Sequence, residues 1–288
     1  MPLTRLIALT LALCLLAASC GRADASSTRN EIPRAVVTIS ETVSTEPQFL
    51  TPATTSTVPP TTTTTTTVAP TTTTTEAPPL GEHDSLVATA NDDVQYLTIF
   101  DGPAGNVQAL PFPVPNPHQF GGPLTMLVTE GAIGDEWVKV QLPIRPNGQE
   151  AWIKTRDYSL SVITIRAEVN LSSRSVTVWD GDEVIAETST GIGTAATPTP
   201  VGEFYVASVR ENPPEEAFLG SHALVLSGFS EALETFSGGL PVIAIHGTLN
   251  PDDDLGHEVS NGCLRVPNDV IGFLAQHVPV GTPVSISN

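Results

Sequence analysis

A lone thiol and an imidazole carry most of the chemistry this chain can offer. The 288-residue sequence contains three cysteines, Cys14, Cys20 and Cys263. The first lies in an apolar N-terminal run and the second directly after it, which leaves Cys263 as the one thiol of the region that can fold. A single thiol cannot close an internal disulfide, so it is either a small buried hydrophobe or a reactive group. Its neighbours favour reactivity. Ile245-His246-Gly247-Thr248 precedes Ser260-Asn261-Gly262-Cys263-Leu264-Arg265 across a mostly polar stretch. A thiol with a free pKa near 8.5 is only a few per cent ionised at neutral pH, and an adjacent imidazole can both take its proton and later protonate a leaving amine. Gly262 lets backbone approach a substrate, so the NH groups of Gly262 and Cys263 could form an oxyanion hole. The Gly247 carbonyl could accept the second imidazole NH and orient the ring.

These residues have to be positioned by strands. Alternation through Ile163, Ile165, Ala167 and Val169 leads into Val176-Thr177-Val178-Trp179, then Asp180-Gly181, then Val184-Ile185-Ala186. Asp-Gly between two such runs predicts a hairpin. Thr197 to Phe204 reads as a Pro-rich turn into a strand, and Val280 to Ile286 as the last strand. The spacing of Val270, Ile271, Phe273 and Leu274 predicts a helix over 268–277, with Asn268 as its cap. The expected fold is mostly β.

Together, the His-Gly-Thr triplet, the Ser-x-Gly-Cys-x-Arg block and the Thr197–Phe204 turn resemble the L,D-transpeptidase catalytic domain family, over about Val162 to Ile286. The resemblance implies that Cys263 is a nucleophile, His246 its base and acid, Gly247 the orienter and Gly262 part of the oxyanion hole. Ser260, Asn261, Arg265 and Thr248 would brace the loop or touch substrate, with Arg265 equally readable as a structural ion-pair partner. Many members carry His where this chain has Asn261. The implied substrate is the peptidoglycan stem peptide, attacked at the carbonyl of its third residue with release of D-alanine; a second stem amine then takes the acyl group. No cofactor or metal is called for. Transfer to water, or a non-catalytic wall-binding or spacer role, are the competing readings.

The rest of the chain is built differently. Residues 1–19 read as an export signal: Arg5 is followed by an apolar run, Leu6 to Ala18, too short to span a bilayer comfortably. Leu16-Ala17-Ala18-Ser19-Cys20 resembles a bacterial lipobox, which implies a lipid on Cys20 and a membrane partner; an ordinary signal peptide is the alternative. Residues 20–80 are Thr/Pro-rich, with Thr61 to Thr67 and Thr71 to Thr75, and cannot build a core. They read as a disordered linker holding a head on the outer side of the membrane, within the wall. Residues 81–160 hold short apolar runs between Gly and Pro clusters and resemble a small SH3-like β module, which either binds wall material or packs on the catalytic unit. Residues 161–288 form the catalytic domain. With 12 basic against 31 acidic residues, and only Arg166, Arg174, Arg210 and Arg265 as cations from Arg166 onward, clustered phosphate binding is excluded and nucleic acid is not a partner. Asp252-Asp253-Asp254 with His257 and Glu258 fits no metal-loop spacing and reads as a solvated acidic loop. His83, His118, His222 and His277 read as surface or packing residues.

Overall fold

The structure, a computed structural model, describes residues 80–288; the export signal, Cys20 and almost all of the Thr/Pro-rich segment lie outside the described residues. The described part is mostly β. A first, seven-stranded sheet is built from β1 (Ser85–Ala90), β2 (Ile99–Phe100), β3 (Val107–Gln108), β4 (Thr125–Glu130), β5 (Trp137–Gln141), β6 (Glu150–Lys154) and β7 (Tyr158–Ile163). Its order is β3-β2-β6-β5-β4-β1-β7 and every pairing is antiparallel. The chain leaves this sheet at Thr164.

Beyond Thr164 the chain forms β8 (Ile165–Asn170), β9 (Ser175–Asp180), β10 (Glu183–Ser189), β11 (Ile192–Gly193), β12 (Gly202–Glu211), β13 (His222–Phe229), β14 (Val242–His246), α1 (Pro251–Asp254), β15 (Glu258–Ser260), β16 (Leu264–Arg265), α2 (Asn268–His277) and β17 (Pro283–Ser287). Eight of these strands form one sheet, ordered β10-β9-β8-β17-β12-β13-β14-β16, while β11 and β15 pair by themselves in parallel. The expected β9–β10 hairpin forms, but its two-residue turn is Gly181-Asp182, one residue later than an Asp-Gly loop, with Asp180 closing β9 and Gly181 at φ 54°. Helix α2 runs over the residues its periodicity predicts and sinks Ile271 and Leu274 into the core beneath the sheet. Asn268 does not cap it. Its side chain accepts the Thr248 NH at 3.1 Å instead, so the helix start is tied to the strand end that carries His246.

β12 is buried on both faces. Because strand side chains alternate, Phe204 and Val206 point into the core shared with α2, β14 and β16, while Tyr205 and Ala207 complete the core of the first sheet with Met126, Val138 and Ile153. Side chains of the first sheet also bond the second part's backbone. Gln141 Nε2 donates to Glu203 O, and Asn147 exchanges two bonds with Phe229, donating to its carbonyl and accepting from its NH, both at 2.9 Å. Residues 81–160 therefore pack on the part of the chain that follows them.

Candidate functional site

The site grows from the register of two short parallel strands. β14 and β16 pair Ile245 with Leu264 and His246 with Arg265. Ile245 and Leu264 face the core and are wholly buried. Alternation therefore turns His246, Arg265 and, one step before Leu264, Cys263 to the opposite face. There all three line one cleft of about 570 Å³, together with Ser260 and Asn261. The parallel ladder sets His246 beside Arg265, and Cys263, two residues before Arg265 and so on the same face, lines the same cleft seventeen positions from His246 in sequence.

Each is held by its own contacts. His246 Nδ1 lies 2.7 Å from the Gly247 carbonyl; a carbonyl only accepts, so Nδ1 carries the proton and Nε2 keeps its lone pair. Gly247 has no room for a side chain: a Cβ there would overlap Asn268 Oδ1 and sit 2.8 Å from Gly220 Cα. Ser260 is buried, donates to the Cys263 carbonyl at 2.6 Å and accepts the Gly262 NH at 3.1 Å, closing the turn that presents the thiol. The Gly262 NH, expected to face an oxyanion, is thereby occupied. What Gly262 supplies is conformation, since φ is 114° and a Cβ would come within 2.8 Å of Ile243 Cδ1. Thr197 Oγ1 donates to the Ser260 carbonyl at 3.2 Å, so the Pro-rich turn buttresses the same loop.

Residues 164–286, which carry this entire constellation, match the family model described as YkuD, the L,D-transpeptidase catalytic domain. The chain is 33% identical over 125 residues to the L,D-transpeptidase candidate YkuD of Bacillus licheniformis, covering 43% of this chain and 67% of that protein. It is 32% identical over 123 residues to the L,D-transpeptidase candidate YqjB of Bacillus subtilis, with 42% and 69% covered. This chain belongs to the L,D-transpeptidase catalytic domain family. The match spans about two thirds of those relatives' length. A solved structure of an L,D-transpeptidase from Mycobacterium tuberculosis H37Rv aligns at 14% identity and a TM-score of 0.38, over 57% of this chain and 90% of its own.

In this L,D-transpeptidase domain the acidic loop is solvated at His257 and Glu258 as expected, but not throughout. Asp252 and Asp253 are exposed, but Asp254 is buried. Its Oδ1 accepts from Arg265 Nη1 at 2.8 Å and its Oδ2 from Thr248 Oγ1. Thr248 Oγ1 in turn accepts the Asn250 NH at 3.0 Å. α1 thus returns a carboxylate beneath the cleft, where it neutralises the arginine beside the thiol and imidazole. Arg265 takes the ion-pair role left open for it, while its Nε is buried without a partner among the described residues. Asp254 is the residue that reading the sequence missed. Its only local signal was a Pro-led acidic triplet, whose third member folds inward because Pro251 starts a single helical turn.

Burial dominates the titration of the pair. It pushes the Cys263 thiol up from its ordinary value, against a backbone hydrogen bond and the nearby Arg265 charge that pull it down. Burial pulls the His246 imidazole down, with Arg265 adding to that and the Gly247 bond and Asp254 opposing it. Both shifts favour the uncharged forms. The other five histidines fall outside the cleft: His83 pairs with exposed Asp182, His222 bonds Ser221, His277 stacks on Phe273, His118 packs against Phe120, and His257 is exposed.

Proposed function

We propose that this chain is a peptidoglycan L,D-transpeptidase in which Cys263 forms the acyl-enzyme and His246 moves the protons. The observation that carries the reading is a Gly247-oriented imidazole and the one thiol among the described residues lining a single cleft. As Sγ bonds to the carbonyl carbon of the third stem residue, its proton passes to His246 Nε2. The tetrahedral intermediate then collapses, the C–N bond to D-alanine breaks, and the imidazolium protonates the departing amine. A second stem amine attacks the thioester, gives its proton to Nε2, and Sγ leaves and takes that proton back. The product is a cross-link between two third-position residues. Burial favours the neutral form of both groups, which suits a thiol that gives up its proton as it attacks. With the Gly262 NH committed to Ser260, the Cys263 NH is the backbone donor for the oxyanion.

In this proposal the head works on the outer side of the membrane, tethered by a lipid on Cys20 and spaced by residues 20–80, with residues 81–160 as an SH3-like module. Incubating the purified protein with a disaccharide tetrapeptide and following its intact mass tests the reaction. The expected result is an acyl adduct that Cys263→Ala abolishes, with cross-linked dimer and free D-alanine as products. D-alanine without dimer would assign transfer to water instead, and no adduct on a free, accessible thiol would refute the enzyme reading.

A further inference from the structure

One loop of the first sheet reaches the cleft. Asn116 pins its entry: Nδ2 donates to the carbonyls of Asn91 at 3.1 Å and Val94 at 2.8 Å, and Oδ1 accepts the Leu124 NH at 2.8 Å. The tip is pinned to the other part of the molecule. Ser208, wholly buried on β12, sends its Oγ toward the carbonyls of Phe120 (3.2 Å) and Gly121 (3.0 Å). Between these anchors the loop closes on itself, the His118 NH bonding the Gly122 carbonyl and the Gly121 NH the His118 carbonyl, each at 2.8 Å. The ring of His118 lies 5.7 Å from that of Phe120. A segment so held presents fixed side chains. Gln119, exposed, and Phe120, half-buried, line the cleft that holds Cys263 and His246. The exposed apolar side chains of Phe218, Phe236 and Leu240 line it too. Nothing in the packing of the fold requires large apolar groups around a polar reaction centre to stay uncovered; a substrate with apolar stems and amide groups would cover them.

We infer that Gln119 and Phe120 are specificity-determining residues, through which the first sheet supplies one wall of the peptide cleft. Phe120 packs on the aliphatic part of a stem-peptide side chain, and Gln119 hydrogen-bonds its amide groups. Residues 81–160 thereby select what reaches Cys263 in addition to any contact they make elsewhere. This rests on the transpeptidase reading above.

The test compares wild type with Gln119→Ala and Phe120→Ala as purified full-length protein. Steady-state kinetics on a disaccharide tetrapeptide are run beside alkylation of Cys263 by iodoacetamide, a reagent too small to need the wall. Loss of a substrate contact made equally in ground and transition states raises KM and spares kcat. The expected result is a KM raised about fivefold to tenfold in each variant, the scale of a truncated binding contact, with kcat and the alkylation rate held and KM restored in Phe120→Tyr. Unchanged KM in both variants would overturn the inference, as would KM, kcat and alkylation all failing together, which is the signature of a structural role. Absence of both turnover and acyl adduct in the wild type would instead strike the underlying reading and take this inference with it.

Discussion

Replacing Asp254 with alanine removes the acceptor that Arg265 Nη1 meets at 2.8 Å and the one that Thr248 Oγ1 meets beneath the cleft. Arg265 Nε is already buried without a partner among the described residues, so the variant leaves two guanidinium donors unsatisfied and strands a cation in the cleft that holds Cys263. Breaking a fully buried ion pair by deleting one member costs about 3–5 kcal/mol. The Arg265 side chain retains 30% of its exposure, so water repays part of that, and about 2–3 kcal/mol is the expected loss. For a folded unit of this size, each kcal/mol moves Tm by about 2–4 °C, which places the drop at about 4–12 °C. Thermal unfolding followed by circular dichroism reads it directly. Arg265→Met in the Asp254→Ala background should recover part of the loss, because the stranded charge is gone, and the two changes should be non-additive. A Tm within about 1 °C of wild type, or strict additivity, would refute the claim that Asp254 holds the cleft floor through Arg265.

The same contacts set four further outcomes. Burial raises the Cys263 thiol pKa, so the rate of iodoacetamide alkylation should climb only above the ordinary thiol range; a midpoint below pH 8 would contradict that upward shift. Burial and Arg265 lower the His246 pKa, so the acid limb of kcat/KM should lie below the ordinary imidazole value, activity being lost as pH falls through it, and Arg265→Met should move that limb upward; a limb at or above the usual imidazole value would count against the buried ring. Gly247→Ala would drive a Cβ into Asn268 Oδ1, disrupting the link between α2 and the His246 strand and costing about 1–3 kcal/mol in chemical denaturation. Deleting residues 81–160 should give an insoluble or unfolded product, because Tyr205 and Ala207 of β12 lose their core; a soluble, cooperatively unfolding fragment would show that the two parts fold separately.

Much of the site was legible because its signals are local. The His246-Gly247 and Gly262-Cys263 steps carry their reasons in adjacent residues, and α2 declares itself through the 3.6-residue spacing of Val270, Ile271, Phe273 and Leu274. What stayed hidden depends on partners distant in the chain. Asp254 reads as one of three solvated acids until β16 brings Arg265 to it. Asn268 reads as a helix cap until the Thr248 NH competes for its oxygen. The Gly262 NH reads as an oxyanion donor until Ser260 folds back upon it. The Phe120 loop looks like one more Pro/Gly connection, and only the buried Ser208 hydroxyl on β12 shows why it ends at the cleft. In β12 itself, the unbroken apolar run Phe204-Tyr205-Val206-Ala207 signals burial on both faces, but not that the second face belongs to the preceding sheet.

Acylation of Cys263 with His246 as its base is tested by intact-protein mass spectrometry after incubation with a carbapenem, whose strained amide a nucleophilic thiol opens. One covalent adduct is expected on the wild-type protein, none on Cys263→Ala, and a rate reduced by at least about a hundredfold on His246→Ala. A folded wild-type protein that stays unmodified, or an adduct that survives Cys263→Ala, would contradict that assignment.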